Sequence, residues 1–216
     1  LISLPINVQE GWFWQNPLPQ GNHLNGVCFT DANTGTAVGA SGTILRTTDG
    51  GTSWTIQSSG TTDYLISVCF TDANTGTAVG DYGTILRTTN GGITWTSQSS
   101  GTTKDLFSVS FTDANIGTAV GEVCTILRTT DGGVSWTSLS SVVSYDLNSV
   151  SFTDANTGTA VGFGGTILRT TDGGSYWESQ LSGTTNDLWG VSFTDANTGT
   201  AVGRYGTFLP TTNGGT

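Results

Sequence analysis

The chain has 216 residues and a formal net charge of −10, six Lys and Arg standing against sixteen Asp and Glu. That balance excludes a phosphate backbone bound through counterion release, so nucleic acid is not an expected partner; no apolar run is long enough for a membrane-spanning helix. Thirty-two glycines and three unevenly placed cysteines, Cys28, Cys69 and Cys124, describe a turn-rich β chain without a disulfide framework.

From the amino terminus, the first feature is an aromatic run, Trp12, Phe13 and Trp14. With no Met in the chain, the native start is expected to lie outside this sequence. The stretch FTDANTGTAVG then begins at Phe29 and returns at Phe70, at Phe111 as FTDANIGTAVG, at Phe152 and at Phe193, each time 41 residues on. In the second unit four runs have strand chemistry: YLISVCFT (64–71), GTAVG (76–80), GTILRTT (83–89) and TWTSQSS (94–100), separated by the turn formers DANT, a two-residue step and NGG. Four short strands at a period of roughly 40 to 45 residues is the pattern of a β-propeller blade; a helical repeat would carry a 3.6-residue apolar period instead.

The fifth unit stops at Thr216, before its outer strand, whose Trp would stand one period after Trp177. Five periods before that place stands Phe13. The reading is an all-β chain forming one domain, residues 1–216: a five-bladed β-propeller of four-stranded antiparallel blades. The segment of about residues 10–20 completes the blade formed by about residues 183–216 and closes the ring, removing two sheet edges. Pro210 replaces the Arg of the earlier copies and cannot donate to the ladder, which marks this seam as the weakest interface. A monomer is expected.

TTDGGTSW (47–54) recurs as TTNGGITW, TTDGGVSW and TTDGGSYW. An Asp or Asn opening a Gly-Gly turn accepts backbone N–H groups, the glycines take positive φ, and the Trp packs over the hairpin. These residues resemble the Asp-box (BNR) repeat, whose S/T-x-D-x-G-x-x-W pattern is met by Thr47, Asp49, Gly51 and Trp54. With the preceding TDANTGTAVG the chain is most similar to the Ycf48-like family of photosystem II stability and assembly factors. The resemblance implies a propeller, an assembly-factor role and a secreted, periplasmic or lumenal compartment. Arg46, Arg87, Arg128 and Arg169 occupy one repeat position, unlike the inequivalent arginines that grip a single carboxylate in sialidases. They are expected to pair with a repeated acid such as Asp31 or Asp72.

Comparison of the five copies separates scaffold from decoration. Variation gathers after AVG (40–41, 81–82, 122–123, 163–164, 204–205) and at the entry to the first strand (22–23, 63–64, 104–105, 145–146, 186–187). Antiparallel alternation puts both places at one end of the blades, the layout of a binding face on a rigid scaffold. Tyr64, Tyr82, Phe107, Tyr145, Phe163, Trp189, Arg204 and Tyr205 are the candidate ligand-binding residues there. Aromatic surface among carboxylates suits a glycan, a small molecule or a partner protein. His23, Tyr64, Asp105, Asp146 and Asp187 are repeat equivalents, and a ring of His23, Asp105, Asp146 and Asp187 would need a cation or a shared proton to offset its charge. That ring is the candidate site for a divalent metal, or for the acid and base of a glycoside or ester hydrolase. The alternative is that the Asp side chains cap nearby turns.

Two functions follow: a non-enzymatic binding or scaffold propeller, which the residues favour, and a hydrolase working at the carboxylates with His23. No Ser/His/Asp triad, phosphate loop or Cys/His zinc pattern can be assigned.

Overall fold

A computed structural model describes residues 21–215. The first blade pairs β1 (Leu24–Phe29), β2 (Gly35–Gly39), β3 (Ile44–Thr47) and β4 (Thr55–Gln57) in that order, all antiparallel. The second repeats this with β5 (Leu65–Phe70), β6 (Gly76–Gly80), β7 (Ile85–Thr88) and β8 (Thr96–Gln98), and the third with β9 (Leu106–Phe111), β10 (Gly117–Gly121), β11 (Ile126–Thr129) and β12 (Thr137–Ser138). The fourth holds β13 (Leu147–Phe152), β14 (Gly158–Gly162), β15 (Ile167–Thr170) and β16 (Glu178–Gln180). The fifth shows three strands among the described residues, β17 (Leu188–Phe193), β18 (Gly199–Gly203) and β19 (Phe208–Thr211), the last running through Pro210 opposite Thr200. The architecture is the five-bladed all-β propeller that the repeat predicts.

Inner strands pack successively, β1 on β5, β5 on β9, β9 on β13 and β13 on β17. The core lies between blades: Val38 and Ile44 of the first blade pack with Leu65, Val68 and Phe70 of the second, and the pattern repeats around the array. At its two ends the same positions lie open. Val27 is 63% exposed where its equivalent Val68 is 7% exposed, and Val202 is 44% exposed where Val161 is fully buried. No packing of β17 on β1 comparable to the other four pairs occurs among the described residues. The segment of about residues 10–20, expected to complete the fifth blade, lies outside the described residues. A cleft of about 290 Å³ opens beside β19, lined by Gln180, Leu181, Phe193 and Leu209.

The Asp-box turn forms as its residues dictate. Asp49 Oδ1 accepts the Ser53 N–H (2.9 Å) and the Thr47 hydroxyl (2.8 Å), while Gly50 and Gly51 take φ of +70° and +86°. Trp54 then stands edge-on to Phe29 at 6.1 Å, and the next three blades repeat the pair at 5.9 to 6.0 Å. The hydroxyl and N–H groups that Asp131 accepts hold its carboxyl below the ordinary 3.8, at about 2. A depressed folded pKa contributes stability in full above the unfolded value and loses it as pH falls through the folded one. Unfolding followed by circular dichroism is therefore expected to become easier from about pH 4 down to about pH 2. Asp131→Asn should flatten that dependence, since Asn90 already serves the second blade, its Oδ1 accepting the Thr94 N–H at 3.0 Å. An acid dependence identical to that of the parent would refute this account.

The repeated arginines correct the sequence reading. Arg46 Nη1 donates to Thr36 Oγ1 (2.9 Å) and Nη2 to the Ala73 carbonyl of the next blade (2.5 Å), while the guanidinium lies over Phe70 at 5.0 Å. Arg87, Arg128 and Arg169 do the same. None forms an ion pair with the repeated acid among the described residues. Asp31 and Asp72 instead accept two N–H groups of their own turns, from Asn33 and Thr34 and from Asn74 and Thr75, at 2.7 to 2.9 Å. A backbone carbonyl can receive the arginine because the turn presents it, so the acid is free to shape the turn.

One interblade contact is made at the second blade and missing at the next two; at the third, Gln98 keeps the position, yet its Oε1 and Trp136 Nε1 are both buried without a partner. Trp95 Nε1 donates to Gln57 Oε1 of the preceding blade (3.3 Å), but the position of Gln57 is Leu139 ahead of the fourth blade, and buried Trp177 Nε1 has no acceptor. Leu139→Gln should supply one and raise stability by about 1 kcal/mol, read as a higher urea midpoint. An unchanged or lower midpoint would show either that the bond fails to form, as between Gln98 and Trp136, or that the lost apolar packing outweighs it.

Candidate functional site

The two-residue step after AVG folds in every blade as a single 3-10 turn: Ala40–Gly42, Asp81–Gly83, Glu122–Cys124, Phe163–Gly165 and Arg204–Gly206. Each turn is clamped to the entry of its own inner strand, as where the Asp81 N–H donates to the Tyr64 carbonyl (3.0 Å). The glycine that ends AVG makes this approach possible, for a Cβ on Gly80 would stand 1.8 Å from that carbonyl oxygen. The middle residue of the turn takes the left-handed region, with φ of 55° at Ser41, Tyr82 and Tyr205 and 51° at Val123. This geometry throws the middle side chain outward, and Tyr82 and Tyr205 are 72% and 88% exposed. Glycine follows except at Cys124, where φ is 52°; its thiol and Val143, which replaces the Thr of other copies, both pack against the core cluster between the third and fourth blades. Burial pushes the Cys124 thiol up and out of thiolate chemistry.

Of the two roles the sequence allows these carboxylates, a ring around a cation or caps on nearby turns, the structure shows the caps. Asp105 Oδ1 accepts the Tyr82 N–H (2.8 Å), Asp146 Oδ1 the Val123 N–H (2.8 Å) and Asp187 Oδ1 the Gly164 N–H (3.0 Å). Each reaches back 23 residues and pins the turn of the preceding blade. No group of three or more His, Cys, Asp or Glu capable of holding a metal occurs among the described residues. His23, Asp105, Asp146 and Asp187 are thus not gathered at one point. The physical reason is local: an N–H pointing outward from a left-handed turn is satisfied by the nearest acceptor, and the repeat supplies a carboxylate there in three of its five copies. The neighbouring positions serve the same clamp, with Asp63 Oδ2 accepting the Thr84 hydroxyl and Asn22 and Asn186 amides donating to Thr43 and Thr207.

The aromatic candidates divide into two kinds. Phe163 and Trp189 meet edge to face at 5.5 Å across the fourth and fifth blades, and Arg204 lies over the Trp189 ring at 5.7 Å. Arg204 Nη1 also pairs with Asp187 Oδ2 at 3.1 Å, so one carboxylate holds both the turn at Gly164 and the arginine. Tyr64, Tyr82, Tyr145 and Tyr205 stand separately, and Phe107 is half-buried on β9. No ring contact joins any of these five to another aromatic among the described residues. The face is therefore a row of outward side chains on pinned turns, with one assembled ledge at its end.

The family of these repeats is decided by their sequence. The family model described as photosynthesis system II assembly factor YCF48 matches residues 6–97, 55–141 and 96–182. The chain belongs to that family. Among solved structures it is similar to YCF48 bound to D1 peptide, at 22% identity and a TM-score of 0.71, over 88% of this chain and 65% of that one. It is also similar to YCF48 from Cyanidioschyzon merolae, at 19% identity and a TM-score of 0.51, over 92% of this chain and 85% of that one. A GH74 enzyme from Niastella koreensis shares the fold at 18% identity and a TM-score of 0.71, over 89% of this chain and 37% of the enzyme. These structural likenesses speak for the propeller alone. No curated protein matches the chain in sequence.

Proposed function

We propose that this member of the YCF48 family is a partner-binding propeller whose turn face receives an extended segment of another polypeptide, in the manner of an assembly factor. One observation carries the reading: the variable turns of all five blades are fixed by backbone hydrogen bonds, three of them by a carboxylate as well, while the middle side chains of four turns, two of them tyrosines, project into solvent. Such preorganised aromatic groups bury large areas at low entropic cost when a partner covers them. Family membership and the solved YCF48 with a D1 peptide support a polypeptide over a glycan as the ligand. No helix of the described residues is long and apolar enough to cross a membrane.

The test is fluorescence anisotropy of a labelled D1 peptide titrated with the purified chain, and then with variants of the turn face. Binding that survives removal of the Tyr82 and Tyr205 rings and of Trp189 would place the partner elsewhere.

A further inference from the structure

The ledge on the fifth blade is occupied from within: Arg204 stacks on Trp189 and pairs with Asp187. Two periods earlier the same aromatic and acid recur as Phe107 and Asp105, but the position of Arg204 is held by Glu122, which pairs with Lys104 at 3.7 Å. Asp105 uses one oxygen on the Tyr82 N–H, and Phe107 keeps part of its ring open. Where Phe163 meets Trp189, the equivalent residue ahead of Phe107 is Asp81. Burial, then the charges of Asp105 and Asp63, push the Asp81 carboxyl above the ordinary carboxylate range. Carboxylates gathered beside an aromatic surface complement a guanidinium or ammonium group, and the chain's own Arg204 shows how such a group seats on this motif.

We propose that the junction of the second and third blades, floored by Phe107 and edged by Asp81 and Asp105, is the seat of an arginine or lysine side chain presented by the partner segment. The inference rests on the polypeptide-binding reading and specifies the chemistry of the bound segment: an extended stretch bearing at least one basic residue. The aromatic floor favours an organic cation over a hydrated metal ion, which gains nothing from displacing water for a ring face.

The probe is N-acetyl-arginine N-methylamide, titrated at millimolar concentrations and followed by backbone amide resonances. The Tyr82 and Phe107 amides are expected to shift, and the glutamine analogue should leave them in place. Asp105→Asn keeps an oxygen for the Tyr82 N–H while removing charge, and should weaken the probe about tenfold. Glu122→Arg supplies the guanidinium from within the chain and should abolish the shifts, whereas Arg204→Ala should open a second seat reported at Trp189. Equal shifts with the glutamine analogue, or unchanged binding in Glu122→Arg, would overturn the proposal. A partner peptide that binds the turn face with no loss when its basic residues become glutamine would overturn this inference and leave the polypeptide reading standing. Seating of the probe without binding of any polypeptide would support the seat and remove the reading it rests on.

Discussion

Arg128→Met is expected to destabilise the propeller by about 3 kcal/mol, the sum of one buried and one half-buried partner left without a donor. Arg128 Nη1 donates to Thr118 Oγ1 at 2.7 Å and Nη2 donates to the Ala155 carbonyl of the next blade. Thr118 is fully buried, so its hydroxyl has no water to turn to. Methionine keeps the apolar stem against Phe152, over which the guanidinium lies at 4.9 Å, and so isolates the polar loss from the packing loss. Arg128→Lys should recover only part, because one ammonium cannot reproduce the two-directional fork. Urea unfolding gives the measurement. A loss below about 1 kcal/mol would show that the arginines merely decorate an interface held by its apolar side chains. Arg204→Met provides the contrast: its side chain is 54% exposed and its ion pair is a surface one, worth little to stability.

Trp189→Ala is expected to weaken peptide binding by about 2 kcal/mol, roughly thirtyfold, while leaving the unfolding midpoint close to that of the parent. The two readouts separate because Trp189 is 46% exposed and stands outside the buried clusters between blades. Its contribution comes from being held in place, edge-on to Phe163 and beneath Arg204, so little rotamer freedom remains to be lost on binding. Trp189→Phe should retain most of the affinity. Anisotropy with the labelled D1 peptide reads both variants, and parent-like affinity in Trp189→Ala would remove the ledge from the binding site.

The blades were legible in the sequence because every strand is bounded by a turn whose chemistry is local. Asp31 caps the turn that follows it, and Asp49 folds around its own Gly-Gly pair, within four residues in each case. The partners of Arg46 and Asp105 were not legible for the converse reason. Arg46 binds a carbonyl 27 residues on, and Asp105 an N–H 23 residues back, and a backbone group leaves no mark in the sequence. Charge alone suggested acids for the arginines and left the aspartates between a cation and a nearby turn, and the blades offered both groups near and well-aligned backbone dipoles. The face that varies was legible, since strand alternation fixes it. The ledge was not, because Phe163 and Trp189 lie in different copies and neither position is aromatic in all of them.

The Asp-capped turn between the first two strands of each blade carries a further consequence for how the chain finds its fold. All five copies of GTAVG are identical, so during folding each is an equally good partner for every inner strand, and side-chain chemistry cannot reject a strand from the wrong blade. Proximity is what discriminates. A turn of five residues, tied by one carboxylate to two N–H groups, lets each pair zip before a distant copy arrives, because the entropy of closing a loop rises with its length. The aspartate thus acts as a kinetic address: it assigns each strand to its own blade in a chain whose words are otherwise interchangeable.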